Sequence, residues 1–525
     1  MCPKCTADLW EAIIGGCESV FKNVGSNWVV TLVTVAALYV LTPFTIHRLG
    51  DDAYGTWMLI TAMTGYLSLL VLGVPMAAVR SFAQHIAVGD EKKLSEAIGG
   101  CMALYLLLGG IALVVGTGLY VFFSFYNIPS PLSVDAHAAF ILMVVFVSIG
   151  FVGLLPEGVL ASHDDFVPRN IVRLSALLLR VILTVVLLTI TPSLAALAFV
   201  QVACLVFDFA LCWVFIRRRY PNIRIRLRDF NWALARQIFS FSLFVLVLQA
   251  GARLSFETDS LVIGAFKDVG SIPYFTVANS FLIYLMDFIT AIAAVVMPIA
   301  TRLKTQGKTG DLREVFLKWS KIALSLSLLV GLFLIVLGPR FIGWWIDPAF
   351  EAPAGQVLQI LMISYLVFLP MRGVALPILM GLGKPGIPTI GFLVAGVLNL
   401  ALSILLIRPF GLAGVAVGTA IPNVLFAGMV LFQTCRELQT PMMDYVRYVV
   451  PRAVVGALPV LGLLLFFKVT LDVRGITQLV GAGIAMVLLF AATWVYFVYR
   501  NDPYVNLRRY LPGAMRVTGG QEEHA

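Results

Sequence analysis

Ionisable side chains interrupt several long apolar stretches of this sequence. The segment GARLSFETDS, residues 251–260, places Arg253, Glu257 and Asp259 between flanks that are almost entirely apolar. Other charges in apolar surroundings are Arg180, Arg372, Asp287, Glu157 and Asp208. Charged groups inside a membrane are costly, and they usually mark substrate or ion pathways. These eight residues are therefore the predicted substrate-binding candidates.

The three arginines fall at or near the middle of their apolar stretches. Guanidinium stays charged and can donate two parallel hydrogen bonds to phosphate oxygens. The residues Arg180, Arg253 and Arg372 therefore favour a substrate with an anionic group such as pyrophosphate. The alternative is that each arginine pairs with a carboxylate and only holds helices together. For Arg253 the candidate partners are Glu257, at i+4, and Asp287, at similar depth on the next helix.

Enzyme chemistry finds little support in the residue pattern. The five histidines and seven cysteines are scattered along the chain, without the spacing of a metal cluster or a catalytic triad. A membrane glycosyltransferase, polymerase or ligase would need acid–base residues on a sizeable loop, and the outer connections are short. We expect no enzyme activity, no catalytic residue, no cofactor and no metal.

The composition is that of a membrane protein. Of 525 residues, 60% are hydrophobic and 12% are charged, against about 25% charged in soluble domains. The net charge of +9 raises nucleic-acid binding as an alternative, supported mainly by the basic segment 217–229. The positive-inside rule explains the same residues, because Lys and Arg gather in cytoplasmic loops. We therefore expect no nucleic-acid partner.

About fourteen apolar stretches approach the ~20 residues that cross a bilayer. The predicted spans are 25–46, 56–79, 98–124, 137–161, 171–191, 193–216, 237–264, 272–300, 317–338, 356–380, 385–408, 411–434, 450–470 and 475–499. Most of the 37 Lys and Arg residues then fall on one face, which predicts that both termini are cytoplasmic.

An internal repeat divides these spans. A shift of about 220 residues superposes spans one to six on spans seven to twelve, and it pairs Pro75 with Pro298 and Pro156 with Pro377. Six is an even number, so both halves keep one orientation, as in parallel transporter repeats. Because interrupted helices at paired positions tend to mark the transport path, these four prolines are predicted helix breaks or gates.

The predicted fold is an all-α polytopic membrane protein with about fourteen transmembrane helices, arranged as two six-helix lobes and an appended helix pair. The predicted segments are a cytoplasmic interfacial segment (1–24), the N-lobe (25–216), a basic inter-lobe connection (217–236), the C-lobe (237–434), a cytoplasmic connection (435–449), the last two spans (450–499) and a cytoplasmic tail (500–525).

Three segments carry a family resemblance. Residues 23–83 contain an early Asn, then LGDDAYG and LGVPMAAVR; residues 259–281 read DSLVIGAFKDVGSIPYFTVANSF; residues 381–421 begin GLGKPGIPTIGFLVAG. Together they resemble bacterial polysaccharide flippases of the multidrug/oligosaccharidyl-lipid/polysaccharide exporter superfamily. The resemblance covers most of residues 20–435.

The resemblance implies two lobes around a V-shaped cavity in the bacterial inner membrane. It implies flipping of undecaprenyl-pyrophosphate-linked sugar repeats to the outer leaflet, for O-antigen, capsule or exopolysaccharide. The implied partners are the lipid-linked oligosaccharide, membrane lipids and a polysaccharide polymerase. The family's cationic cavity would fit Arg180, Arg253 and Arg372, although no sharp family motif contains them.

Three other functions remain as alternatives. A multidrug or cation antiporter of the same superfamily would be expected to carry an acidic residue in the first span, and 25–46 has none. Peptidoglycan-precursor flippases resemble one another by charged residues in that span, which are also missing. A non-transporting scaffold would leave the buried charges unexplained.

Overall fold

The computed structural model describes residues 30–505, with the exceptions of 72, 164, 222, 224–249, 252, 255 and 256. These residues form helices joined by short turns and contain no strand. The predicted interfacial segment 1–24, most of the basic connection 217–236, the first part of span seven and tail residues 506–525 lie outside the described residues.

In the described part of the chain, seven helices precede the gap at 224–249. They are α1 (Val30–Leu49), α2 (Asp51–Leu67), α3 (Val74–Val88), α4 (Glu91–Phe123), α5 (Ser130–Ser162), α6 (Phe166–Ile190) and α7 (Leu194–Arg219). Side-chain caps start two of them, because Asp90 and Ser193 accept hydrogen bonds from backbone N–H groups in the first turns of α4 and α7.

The described residues after this gap form eleven further helices. They are α8 (Thr258–Phe266), α9 (Ile272–Thr290), α10 (Ala293–Thr305), α11 (Thr309–Val336), α12 (Gly338–Trp345), α13 (Glu351–Pro370), α14 (Leu376–Gly381), α15 (Gly386–Glu437), α16 (Met442–Val449), α17 (Pro451–Val469) and α18 (Ile476–Thr493). Two π-helical segments, Met371–Ala375 and Trp494–Val498, follow α13 and α18.

Helix α15 contains two membrane crossings. Its 52 residues extend about 78 Å at 1.5 Å per residue, more than twice the ~30 Å hydrocarbon core. The backbone breaks at Gly411, where φ is 58°, a value that glycine adopts without steric cost. Pro409, just before the break, removes a helical hydrogen-bond donor. The break lies where the sequence predicts the boundary between spans eleven and twelve.

Twelve helices in the described ranges are long and apolar enough to cross a membrane. Several of these twelve combine neighbouring helices named above. Counting α15 as two crossings gives thirteen, and most of the predicted span seven lies outside the described residues. The all-α polytopic fold is therefore confirmed.

The second and eighth spans are both interrupted near their middles. The 3₁₀ turn Ser68–Val71 separates α2 from α3, and Pro75 lies in the first turn of α3. A turn at 291–292 separates α9 from α10, and Pro298 lies inside α10. The paired prolines of the repeat thus each follow a break at an equivalent place.

The other proline pair differs between the halves. Pro156 lies within the continuous helix α5. Pro377 lies in the first turn of α14, directly after the π-helical segment Met371–Ala375. A gating role for these prolines, and for Pro75 and Pro298, stays a prediction.

The chain divides into two compact units. Unit 1 comprises the described residues of Met1–Arg253 and Ile263–Pro273, and unit 2 those of Leu254–Val262 and Tyr274–Ala525. The predicted lobe boundaries themselves stay a prediction.

A buried ion pair within unit 2 joins the last two spans to α11. Lys321 Nζ donates to Asp502 Oδ2, and these side chains are only 1% and 0% exposed. Lys321 also donates to the Val498 carbonyl at 3.2 Å, while Tyr448 donates to Asp502 at 2.7 Å. The rings of Tyr448 and Tyr499 lie 4.6 and 5.3 Å from the ammonium, within cation–π range. We call Lys321, Asp502, Tyr448 and Tyr499 the Lys321 clamp.

The carboxylate of this clamp is fully hydrogen-bonded. Burial opposes the ionisation of Asp502, but hydrogen bonds from Lys321 and Tyr448 outweigh it and hold the pKa of this carboxyl below its usual value. The backbone N–H groups of Tyr504 and Val505 also donate to Asp502, at 3.0 and 3.1 Å. A buried ion pair is tolerated when its remaining hydrogen-bonding capacity is met in this way.

Candidate functional site

Glu157 is the centre of an ionic cluster in unit 1. It lies on α5, and its Oε2 accepts hydrogen bonds from Arg169, at 3.2 and 3.3 Å, and from Arg173, at 2.9 Å. The three side chains are 21%, 24% and 43% exposed. One carboxylate thus faces two guanidinium groups, so this Glu157 cluster keeps an excess positive charge and remains partly open.

Arg180 extends this positive charge along α6. It follows Arg169 and Arg173 at eleven and seven residues, spacings that place all three on one face of the helix. Arg180 interacts with Cys204 of α7. Its Nε is buried and has no hydrogen-bond partner among the residues that the structure describes. The guanidinium therefore has a donor left for a ligand.

Asp208 lies one turn beyond Cys204 on α7. It interacts electrostatically with Glu157 and with Arg173, and it accepts a 3.5 Å contact from Cys212 Sγ. The structure thus brings three of the predicted residues, Glu157, Asp208 and Arg180, to the region where α5, α6 and α7 pack together.

Arg253 contacts the interruption of the second span. Its Nη2 donates to Ser68 Oγ at 2.9 Å, and its carbonyl accepts from Tyr66 Oη at 3.4 Å. Ser68 begins the 3₁₀ turn between α2 and α3. The structure therefore gives Arg253 a neutral hydroxyl partner; its predicted pairing with Glu257 or Asp287 stays a prediction.

Asp259 lies in a buried polar network of unit 2. Its two carboxylate oxygens are 3.0 and 3.1 Å from Thr419 Oγ1, which donates to them, and Ser403 Oγ lies 3.5 Å away. Asn399 Nδ2 donates to Thr419 Oγ1 at 3.0 Å. All four side chains are at most 3% exposed. We call these residues the Asp259 site.

Close helix packing fixes the Asp259 site. Ser403 and Thr419 lie on the two halves of α15, which meet at Gly418. A Cβ atom at Gly418 would lie 2.6 Å from Ser403 Oγ and 2.7 Å from its backbone nitrogen. Only glycine permits this approach, so the carboxylate is held against hydroxyl groups of two antiparallel spans.

Arg372 lies in the π-helical segment Met371–Ala375. Its guanidinium is 5.2 Å from the Phe392 ring centroid and interacts electrostatically with Asp287 of α9. The Arg372 Nε is buried without a hydrogen-bond partner in the described ranges. The structure thus brings Asp287 towards Arg372, an association that the sequence did not predict.

The neutral members of these sites were missed by sequence reasoning. Asn399 interrupts the apolar run GVLNLALS and could have been noticed as an intramembrane amide. Ser68, Ser403 and Thr419 gave little signal, because hydroxyl residues in helices usually bond to their own backbone. Lys321 gave no signal, since it lies only four residues inside the predicted span 317–338, where basic residues at a helix end are common.

The donor set at Asp259 suits a small hard cation or a proton. It offers one carboxylate and neutral hydroxyl and amide groups, and oxygen ligands are typical for such cations. The described residues contain no group of three or more His, Cys, Asp and Glu side chains that could hold a metal ion. The Asp259 site is therefore a candidate for a monovalent cation.

Several proteins are similar in sequence to this chain. The Bacillus subtilis membrane protein EpsK is 23% identical over 77% of this chain and 80% of its own. The "Probable low-salt glycan biosynthesis flippase Agl15" of Haloferax volcanii is 24% identical over 55% and 61%. The "Putative O-antigen transporter" of Shigella flexneri is 20% identical over 78% and 96%.

Solved transporter structures share the fold. An inward-facing multidrug resistance MATE transporter of the MOP superfamily superposes with a TM-score of 0.69 at 17% identity, over 77% of this chain and 94% of that one. The lipid II flippase MurJ, in an inward closed conformation, gives 0.59 at 14% identity, over 87% and 98%. At these identities the likeness concerns the fold alone.

The profile of one protein family extends over more than half of the sequence. It matches residues 20–304, which include α1 to α7, the Glu157 cluster, Arg180, Arg253 and Asp259. This match shows that the chain belongs to the polysaccharide biosynthesis protein family.

Proposed function

We propose that this protein flips polyprenyl-pyrophosphate-linked oligosaccharides across the membrane for the assembly of a surface polysaccharide. The observation that carries the proposal is the state of Arg180 and Arg372. Each has a buried Nε without a hydrogen-bond partner among the described residues, and a guanidinium with a spare donor suits a phosphate oxygen.

The relatives support this substrate class. One is named for O-antigen transport and another as a glycan biosynthesis flippase. The proposed cargo is an undecaprenyl-pyrophosphate-linked repeat for O-antigen, capsule or exopolysaccharide, moved by alternating access. The protein lies in the bacterial inner membrane with both termini cytoplasmic, passes its cargo to a polysaccharide polymerase, and performs no catalysis.

The Asp259 site binds the coupling ion of this transport cycle. A carboxylate that is almost fully buried is expensive to keep charged without compensation. Binding of Na⁺ or a proton at Asp259 lowers that cost, and a transmembrane cation gradient then drives the return of the empty carrier. Arg372 and Asp259 both lie in unit 2, so that anion and cation binding occur within one compact unit of the chain.

Disruption of the gene tests the function. We expect lipid-linked repeats to accumulate on the cytoplasmic side and the surface polysaccharide to be lost, with both restored by the wild-type gene. Arg180→Gln and Arg372→Gln should restore neither, whereas Arg313→Gln should restore both. Arg313 also has a buried Nε without a partner among the described residues, but its guanidinium forms an ion pair with Asp444 near the start of α11, outside the predicted span 317–338. It therefore serves as the matched control.

Two outcomes contradict the proposal. Normal surface polysaccharide with raised sensitivity to cationic dyes identifies a multidrug or cation antiporter. Normal surface polysaccharide with loss of cell-wall integrity identifies a peptidoglycan-precursor flippase. The variants Arg180→Lys and Arg372→Lys keep the positive charge but lose the planar guanidinium, which can bind two phosphate oxygens at once. They show whether bidentate geometry is needed.

A further inference from the structure

Several buried polar atoms in unit 2 have no hydrogen-bond partner in the part of the chain that the structure describes, and three of them lie near the two charged sites. These three are Tyr365 Oη, Asn423 Nδ2 and Arg372 Nε. A buried donor or acceptor without a partner lowers the stability of the fold, and such atoms call for a specific explanation. The contacts around Tyr365 provide one.

Tyr365 lies beside the helix that holds Thr419. It is 1% exposed on α13, one turn before Phe368, whose ring centroid is 6.1 Å from that of Phe426 on α15. Seven residues before Phe426, on the same face of the helix, Thr419 donates to Asp259. Asn423, with its orphaned amide, lies one turn after Thr419. From the contact between Phe368 and Phe426, the N-terminal direction leads to Tyr365 on α13 and to Thr419, the donor to Asp259, on α15.

The hydroxyl of Tyr365 interacts with both charged sites. It is subject to the negative charge of Asp259 and the positive charge of Arg372. A phenol can donate one hydrogen bond and accept others, so it can bind either group. In the structure it is bonded to neither, although both interact with it through a low-dielectric interior.

The π-helical segment makes a shift between these partners possible. Met371–Ala375 lies between Tyr365 and Pro377 and carries Arg372. Single π turns are rare, and they often occur at functional sites. A Cβ at Gly373 would lie 2.9 Å from Ile289 Cγ2 and 3.0 Å from its carbonyl, so α9, which bears Asp287, packs directly on the segment. Conversion to α-helix rotates Arg372 relative to Tyr365.

We propose that Tyr365 couples cation binding at Asp259 to pyrophosphate binding at Arg372, an inference that rests on the proposed roles of both sites. When Asp259 is charged and empty, it attracts the Tyr365 O–H. When a cation neutralises Asp259, the O–H is released and donates to the phosphate that Arg372 holds. Tyr365 thus contacts the phosphate only while the cation is bound, so that each ligand promotes the binding of the other.

The test measures this linkage in the full-length protein in lipid nanodiscs. The probe is undecaprenyl pyrophosphate, titrated in sodium chloride and in choline chloride at equal ionic strength, and at two pH values in choline. For the wild type we expect Na⁺ or the lower pH to tighten binding about tenfold, within the usual range of coupling. Tyr365→Phe should lose the enhancement, so that its affinities for the probe in sodium and in choline agree within about twofold.

Phenylalanine removes only the hydroxyl of Tyr365, so this variant distinguishes a coupling role from a structural one. Removing an orphaned hydroxyl should not destabilise the fold, so a purely structural tyrosine predicts an unchanged enhancement. Cation-dependent thermal stabilisation without the probe should persist in Tyr365→Phe, because the Asp259 site is intact. Tyr499→Phe is the matched control. It removes a hydroxyl bonded to Ser325 at 3.1 Å in the same unit and should keep the enhancement.

The possible failures are distinct. If the wild type does not bind undecaprenyl pyrophosphate, the proposed function fails, and the inference fails with it. If the wild type binds the probe with cation dependence and Tyr365→Phe retains that dependence, the inference alone is overturned. Binding without cation dependence in the wild type also overturns it.

Discussion

The Lys321 clamp and the Glu157 cluster are both built from ion pairs near helix ends, but they differ in how completely their charges are buried and hydrogen-bonded. In the clamp, one cation and one anion are almost completely buried, and the lysine is surrounded by a carbonyl and two aromatic rings. In the cluster, one carboxylate faces two arginines that remain partly exposed, and Arg180 nearby has a buried donor unused.

This difference separates a structural ion pair from one that is open to exchange. The clamp has no capacity for a ligand, because its charges balance and both carboxylate oxygens of Asp502 already accept hydrogen bonds. The cluster has an excess positive charge, and a stronger anion can displace Glu157 from its arginines. We therefore expect changes in the clamp to affect stability and changes in the cluster to affect binding.

The largest effect is expected for Lys321→Met. It leaves Asp502 buried without its cation, and breaking a buried pair in this way costs about 3–5 kcal/mol. Thermal unfolding of the purified protein, followed by size-exclusion chromatography, should show a large loss of the folded fraction. The double variant Lys321→Met with Asp502→Leu should recover most of the stability, because it removes both charges. An equally unstable double variant would show that the clamp contributes specific contacts beyond charge balance.

An intermediate effect, on binding, is expected for Glu157→Gln. The change removes the internal anion that occupies Arg169 and Arg173, so an external phosphate no longer competes with it. We expect undecaprenyl pyrophosphate to bind about tenfold more tightly, equivalent to about 1.4 kcal/mol. The stability of this partly exposed cluster should change by less than about 1 kcal/mol.

The matched control for Glu157→Gln is Asp444→Asn. Asp444 accepts a hydrogen bond from Arg313 at 3.1 Å in an ion pair whose carboxylate is more exposed than that of Glu157. Its variant should alter neither binding nor stability. Unchanged probe binding in Glu157→Gln would contradict the contrast between the two regions.

The smallest effect is expected from acid. The pKa of Asp502 is below its usual value in the folded protein, so its contribution to stability is present above the ordinary aspartate pKa of ~3.9 and is lost as the pH falls through the lowered folded pKa. Thermal unfolding between about pH 5 and pH 3 should therefore show a steeper loss for the wild type than for Asp502→Asn. Equal slopes would show that other carboxylates dominate the acid response.

The course of the chain through the membrane was predictable because its cause is local. Apolar runs of sufficient length define the spans, and Pro409 with Gly411 marks the turn that divides α15. The paired breaks near Pro75 and Pro298 follow from an internal repeat that is visible in the sequence. Predicting these features requires no knowledge of which helices contact each other.

The partners of the buried charges were less predictable. Counting along a helix gives the depth of Arg253 and Asp287, but depth alone does not say which residue each faces. Asp287 interacts with Arg372, which lies 85 residues further along the chain, and Asp259 is bonded by hydroxyl groups from two later spans. Lys321 looked like an ordinary basic residue at a helix end, since its partner follows the last span.

The order of synthesis gives the Lys321 clamp a further consequence. Lys321 and Asp502 are 181 residues apart, and a ribosome that adds about 5–20 residues per second needs roughly 9–36 s to cover that distance. During that interval the lysine has entered its helix while its counter-ion has not yet been made. Unit 2 therefore reaches its final state only when translation is almost complete, and a nascent chain that is released before Asp502 leaves this lysine uncompensated.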